Sequence, residues 1–214
     1  MWNLTVQTVR EPQVLPMTEN DFGGHRRRIG ILGGTFNPPH LGHLIIAEQV
    51  ADQLGLERVF FMPDDTPPHV DHKDSIAASD RKQMVALSIE NNPLFEMEKC
   101  EIERGGISYT YDSIKFLKER HPDYEIYFII GGDMVAYLPK WHKIDQLVKM
   151  VHFVGVARHG YPKTSQYPLM WVDIPLIEIS STLIRQKLSQ HCSIRYLVPP
   201  AVEKYIKERG LYND

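Results

Sequence analysis

From Arg28 onward the chain alternates short apolar runs with segments of helical periodicity, and few architectures accommodate that order. Strands are expected at 29–32, 58–62, 95–101, 125–130, 152–156 and 170–173. Helices are expected at 43–54, 79–89, 111–120, 144–149, 181–188 and 199–209. Alternation of this kind specifies an α/β fold: a doubly wound parallel sheet with right-handed crossovers, closed here by C-terminal helices. Ligands of such a sheet bind beyond the carboxyl ends of the strands, where the strand order reverses.

The first strand and helix enclose the most chemically suggestive stretch. Ile29-Gly30-Ile31-Leu32 is apolar, and His43, Ile46, Ala47, Val50, Ala51 and Leu54 recur as one helix face. Between them lies Gly33-Gly34-Thr35-Phe36-Asn37-Pro38-Pro39-His40. A glycine turn at a strand's carboxyl end, beside a helix N-terminus, favours a bound anion through open N–H groups and the helix dipole. His40 and His43, three residues apart, are neighbours at that helix entry. Alone, His43 would read as a satisfied histidine on a partly apolar helix face, but the glycine turn and Pro38-Pro39 shift both imidazoles toward a phosphate. A zinc pair lacks a third ligand at supporting spacing. The G-x-G-x-x-G spacing and a Walker-type G-K-[ST] are both missing.

A second constellation is Ile179-Ser180-Ser181-Thr182-Leu183-Ile184-Arg185. Ser and Thr are natural N-caps, and Ile184 and Leu188 give the following helix an inward face. Three hydroxyls with Arg185 one turn on form a further anion site. Two such helix starts in one domain imply a nucleoside triphosphate.

Composition sets outer limits. A chain of 214 residues accommodates one catalytic domain, taken as 28–214, and its net charge of -3 supplies no basic field for coating nucleic acid or an anionic membrane. Cys100 and Cys192 are too few for a disulfide framework, and no run approaches a membrane span, so a cytoplasmic location is expected. Residues 1–27 contain Pro12 and Pro16 and end in a glycine and arginine run, which reads as a flexible N-terminal extension. The polar segment 63–79, with three prolines, reads as a binding loop, and Arg81 and Lys82 as a solvated helix face.

Residues 33–43 resemble the GxFxPxHxGH signature of the HxGH nucleotidyltransferase superfamily, and Ile179 to Arg185 is similar to its ISSTxIR signature. Pro67-Pro68-His69, Ser108-Tyr109-Thr110, Gly131-Gly132-Asp133, Leu138-Pro139-Lys140-Trp141 and Tyr196-Leu197-Val198-Pro199 through Gly210-Leu211-Tyr212 narrow the likeness to bacterial nicotinate mononucleotide adenylyltransferases. The likeness spans residues 28–212. It implies a Rossmann-like nucleotidyltransferase fold that joins ATP and nicotinate mononucleotide into deamido-NAD, releasing pyrophosphate, in NAD biosynthesis. It assigns catalysis to His40, His43 and Arg185, and ATP binding to Gly33, Gly34, Thr35, Phe36, Gly131, Asp133, Ser180, Ser181 and Thr182. Thr110, Trp141 and Lys73 are then expected at the nicotinate mononucleotide, with Trp141 stacked on the pyridine ring. Read without the resemblance, Gly131-Gly132-Asp133 is a turn with an Asx cap, Trp141 a packed surface aromatic, and Thr110 a helix cap.

Two departures stand out. A family lysine after Pro-Pro-His is replaced by Val70, with Lys73 nearby as a substitute, and residues 1–27 have no counterpart in shorter members. Mg²⁺ is expected as cofactor, bound through ATP phosphates rather than by a protein metal site. The preference for the acid over the amide mononucleotide and any homo-oligomer stay open at this point. Alternatives are another phosphomonoester acceptor or a non-catalytic nucleotide sensor; the intact His40, His43, Thr182 and Arg185 argue against a sensor.

Overall fold

The strand that opens the alternation is apolar and buried from Ile29 to Leu32 because both of its faces are covered there. In the computed structural model, which describes residues 26–68, 75–157, 160–175 and 177–213, it is β1 (Arg27–Gly34). With β2 (Arg58–Pro63), β3 (Phe95–Met97), β4 (Tyr124–Gly131), β5 (His152–Val156) and β6 (Leu169–Val172) it forms a parallel sheet of order β3-β2-β1-β4-β5-β6. The expected doubly wound α/β architecture is therefore present.

Strand alternation divides the core. Ile29, Ile31, Ile126, Phe128 and Ile130 pack with Ile114 and Leu117 of α4 (Thr110–Arg120) and with Ile144 and Leu147 of α6 (Ile144–Leu147). Leu32, Val59, Phe61, Tyr127 and Ile129 face the other way, against Ala47, Val50 and Ala51 of α1 (Leu41–Leu54) and Val85 and Ile89 of α2 (Ala78–Ile89). A third cluster joins Met84 of α2 to α7 (Ser181–Ser189) and α8 (Pro200–Arg209) through Ile184, Leu188, Val202 and Ile206.

The strand order reverses between β1 and β4, which are in register at Leu32 and Ile129. Their carboxyl ends deliver the 33–35 and 131–133 turns side by side. This is the crevice where such folds hold ligands.

Several expectations change. The strand expected at 95–101 stops at Met97, and α3 (Cys100–Arg104) follows, because the Glu98 carboxylate accepts the Cys100 N–H at 2.8 Å and starts a helix. Gly105 and Gly106, both at positive φ, end it. Arg27, assigned to the extension, is the first residue of β1, bonding backbone to Asp123 at 3.0 Å and pairing with Glu57 at 3.1 Å. The short α5 (Gly132–Val135) and a 3₁₀ turn at Leu138–Lys140 had no expected counterpart. Residues 1–25 of the extension, and 69–74 of the expected binding loop, lie outside the described residues. Among the described residues no helix is long and apolar enough to cross a membrane.

Candidate active site

The glycine turn leaving β1 is followed by Phe36 in the left-handed region, φ 48°. Its ring is buried, meeting Phe61 at 5.8 Å and lying edge-on to His43 at 5.0 Å between centroids. The ring of Phe36, expected at the ATP, is a core buttress beside an imidazole.

His40 is the N-cap of α1, and its backbone N–H donates to His43 Nδ1 at 3.1 Å. An accepting Nδ1 leaves the proton of a neutral imidazole on Nε2, so His43 offers an Nε2–H donor. The two imidazoles are stacked with centroids 3.6 Å apart. Gly42 makes room for this, since a Cβ there would stand 3.0 Å from His40 Nδ1. Two N–H groups of this helix start are engaged, Leu41 on the Leu197 carbonyl at 2.9 Å and His43 on the His40 carbonyl at 3.0 Å, while Gly42 between them lines the cavity together with both imidazoles.

The second helix start meets the first. Ser181 Oγ donates to the Pro38 carbonyl at 2.8 Å, and Arg185 Nη1 to the Asn37 carbonyl at 2.9 Å. Ser180 caps α7 by accepting the Leu183 N–H at 3.2 Å. Two of the three hydroxyls expected to grip phosphate are therefore committed to the fold, because the 37–38 carbonyls need donors. Thr182 is exposed, and Arg185 Nη2 reaches its hydroxyl at 3.5 Å. Among the described residues, the N–H groups of Ser181 and Thr182 meet no protein acceptor and are available to an anion.

Both helix starts border one cavity of about 630 Å³ at the strand ends, lined at that end by Gly33, Gly34, His40, His43, Ser181 and Thr182. Arg185 stands behind its wall. Gly131 and Asp133 line the same space; a Cβ on Gly131 would fall 2.5 Å from Asp133 Oδ1 and would displace that carboxylate. At the far end Thr110 and Trp141 converge, flanked by His142 tilted 34° against Tyr109 at 4.6 Å and by Lys143 Nζ over the Tyr111 ring at 4.6 Å. Trp141 sits edge-on to Phe128 and Phe153, each 5.9 Å away, and its indole N–H has no acceptor among the described residues. It is both a packed aromatic and a wall of the cavity. Thr110 opens α4 without a side-chain cap on that helix, which leaves first-turn N–H groups facing outward. Lys73 lies outside the described residues.

Sequence reasoning missed the supports of the site. Arg81, expected on a solvated face, is 1% exposed. It donates to the carbonyls of Thr35 (2.9 Å), Asp64 (2.7 Å) and Asp65 (2.8 Å) and pairs with Asp64 Oδ1 at 3.1 Å. Asp64 in turn accepts from Thr35 Oγ1 at 2.9 Å. Burial outweighs Arg81 and holds the Asp64 carboxyl above its usual range. The signal was present: Arg81 falls on the stripe carrying Met84 and Val85, so it had to point inward. Asn37 is also buried, and Tyr212 Oη donates to its Oδ1 at 2.7 Å. Glu101, 4% exposed, also lines the cavity and accepts from Ser113 Oγ at 2.6 Å.

Residues 31–187 match the cytidylyltransferase-like family model. A probable nicotinate-nucleotide adenylyltransferase of Lactiplantibacillus plantarum is 63% identical over 207 residues, covering 97% of this chain and 98% of its own. That match takes in most of residues 1–27. A probable nicotinate-nucleotide adenylyltransferase of Enterococcus faecalis is 55% identical, covering 88% and 86%. In fold, the chain is similar to the Plasmodium falciparum nicotinic acid mononucleotide adenylyltransferase complexed with NaAD, with a TM-score of 0.75 at 21% identity, over 88% of this chain and 98% of that one. The chain belongs to the nicotinate-nucleotide adenylyltransferase family, within the cytidylyltransferase-like nucleotidyltransferases.

Proposed function

We propose that the chain transfers the adenylyl group of ATP to nicotinate mononucleotide, forming deamido-NAD and pyrophosphate in NAD biosynthesis. The observation that carries this reading is the joining of two helix starts, residues 40–43 and 180–182, on one cavity whose opposite end gathers Thr110 and Trp141.

The attacking group is the phosphate of the mononucleotide, ionised at neutral pH, so catalysis reduces to alignment and charge stabilisation. His43 directs its Nε2–H, beside His40, at the oxygens around the α-phosphorus. The α7 N–H groups of Ser181 and Thr182, with the Arg185 guanidinium behind them, hold the departing pyrophosphate. Gly33, Gly34 and Thr35 line the path of the phosphates, and Gly131 and Asp133 bound the adenosine end. Trp141 stacks on the pyridine ring while N–H groups near Thr110 face its carboxylate. Lys73 supplies charge on the mononucleotide side, in place of a lysine at Val70.

Mg²⁺ fits this donor set only as a substrate-borne ion. It would be carried by ATP phosphates and water, and it would neutralise phosphate charge. A cytoplasmic location accords with two unpaired cysteines, Cys100 buried and Cys192 exposed.

Pyrophosphate release measured with ATP and each acceptor in turn tests the reading. Turnover with nicotinate mononucleotide well above that with nicotinamide mononucleotide or phosphopantetheine is expected. A faster reaction with either of the others, or none with any acceptor, overturns it.

A further inference from the structure

We propose that the Glu101 carboxyl reads the substituent on the acceptor's ring, so that preference for a ring carboxylate over a ring carboxamide falls as pH rises through neutrality. The inference rests on the reading of Trp141 and Thr110 as the ring site.

Glu101 projects from α3 into the segment that builds that site. Its carboxylate accepts from Ser113 Oγ, and Ser113 in turn bonds the Tyr109 carbonyl at 3.3 Å, one residue before Thr110. The same segment is fastened to the loop after β2: Ser108 N–H donates to the Thr66 carbonyl at 2.9 Å, and Ser108 Oγ accepts the Asp65 N–H at 3.0 Å. Glu101, Ser108, Tyr109 and Thr110 all line the cavity.

Around this carboxyl the partners are almost all neutral. Ser113 and Ser108 offer hydroxyls. Arg104, on the same helix, spends an Nη2 donor on Ser113 Oγ at 3.2 Å, and among the described residues no cation stands within ion-pair distance of Glu101. Asp64, across the cavity floor and paired to Arg81, opposes ionisation, whereas Arg104 favours it. The neighbouring Cys100 thiol is pushed up to about 12 by burial and carries no charge in the working range. A buried carboxyl with only neutral donors is held in its protonated form. Burial accordingly raises Glu101 to about 7, with the Ser113 hydroxyl pulling the other way.

The protonated form presents an O–H, or at least no charge, to an anionic ring carboxylate. The ionised form repels that carboxylate but accepts a hydrogen bond from a carboxamide. By linkage, a bound ring carboxylate raises the proton affinity of Glu101, so its binding near neutrality draws a proton from solution. The phosphate common to both mononucleotides makes no difference between them.

Calorimetry in two buffers of different ionisation enthalpy reads that proton directly. The wild-type chain, with a non-hydrolysable ATP analogue, is titrated with nicotinate and with nicotinamide mononucleotide at pH 7.5. Extra proton uptake for the acid alone is expected, and it vanishes in Glu101→Gln. The acid-over-amide ratio of kcat/KM should fall on the order of tenfold between pH 6 and pH 8 in wild type and stay flat in that variant. Ser113→Ala removes a donor that favours the ionised form, so the fall moves to higher pH. Equal uptake for both acceptors, or an unchanged pH profile in Glu101→Gln or Ser113→Ala, overturns the role of Glu101 and leaves the transferase reading standing. Failure of both mononucleotides to bind overturns the two together.

Discussion

The two helix starts that meet at the cavity weight their chemistry differently. At α1 the Leu41 and His43 N–H groups are occupied, by the carbonyls of Leu197 and His40, and the side chains of His40 and His43 line the cavity beside Gly42. At α7 the side chains of Ser180 and Ser181 are occupied, by the Leu183 N–H and the Pro38 carbonyl, and the backbone N–H groups are left over. The contrast suits two kinds of charge. An imidazole N–H is a directional donor that a reacting phosphorus centre requires, while a fixed row of amides suits a leaving group whose charge only has to be held. On the proposed reading, two motifs that look alike as polar clusters at helix entries divide into a reacting edge and a retaining edge.

The largest effect should come from the ionic support beneath the reacting edge. Arg81→Met deprives three carbonyls, one buried and two half-buried, of a donor and leaves Asp64 buried without its cation, which should cost about 3–5 kcal/mol of stability. The sign with pH is fixed. Asp64 already sits above its usual range, and without Arg81 it rises further, so stability is fullest below the unfolded carboxyl range and is lost as pH rises through the folded value. Denaturant titrations at pH 5 and pH 8 should show a larger deficit at pH 8. A deficit independent of pH would mean that Asp64 does not depend on Arg81.

His43→Ala should split rate from stability. Losing one directional donor at a reacting phosphate costs about 3 kcal/mol of transition-state stabilisation, or about 10² to 10³ in kcat, with the melting temperature little changed. Near-wild-type turnover would erase the distinction between the two edges. Ser181→Ala should behave the other way round. It removes the donor to the Pro38 carbonyl, at about 1–2 kcal/mol of stability, while ATP still finds the α7 amides. A rate loss as deep as that of His43→Ala, with stability intact, would put the Ser181 hydroxyl on the phosphates instead.

What the sequence disclosed follows the range of the interactions. β1 and α1 are legible because an apolar run and a 3.6-residue period are local, and the turn between them is confined to a few positions. α3 was not: the run from Phe95 to Glu101 alternates apolar and polar residues like a strand, and only the Glu98 side chain, folded onto the Cys100 N–H, makes it a helix. The convergence of residues 37–43 with 180–185 was foreseen from two motifs, but their division of labour depends on which carbonyl each hydroxyl finds across 143 residues of chain, and composition carries no trace of it. Arg81 was half legible. Its place on the buried stripe of α2 was visible, whereas the Thr35, Asp64 and Asp65 carbonyls that draw it in are set by the β1 and β2 turns.

The smallest effect belongs to the longest of these connections. Tyr212 reaches back 175 residues to donate to Asn37, whose own backbone carbonyl takes Arg185, so these contacts on the loop before His40, like that of Ser181 on Pro38, come from C-terminal elements. Burial holds the Tyr212 hydroxyl well above the ordinary phenol range, and it stays a donor at any working pH. Tyr212→Phe keeps the ring in the α7–α8 cluster and removes a single hydrogen bond, worth about 1 kcal/mol. If the Asn37 contact steadies the reacting edge alone, kcat falls a few-fold while KM for ATP, set by the α7 amides, stays put. Equal changes in kcat and in the KM for ATP would show that the two edges move as one body.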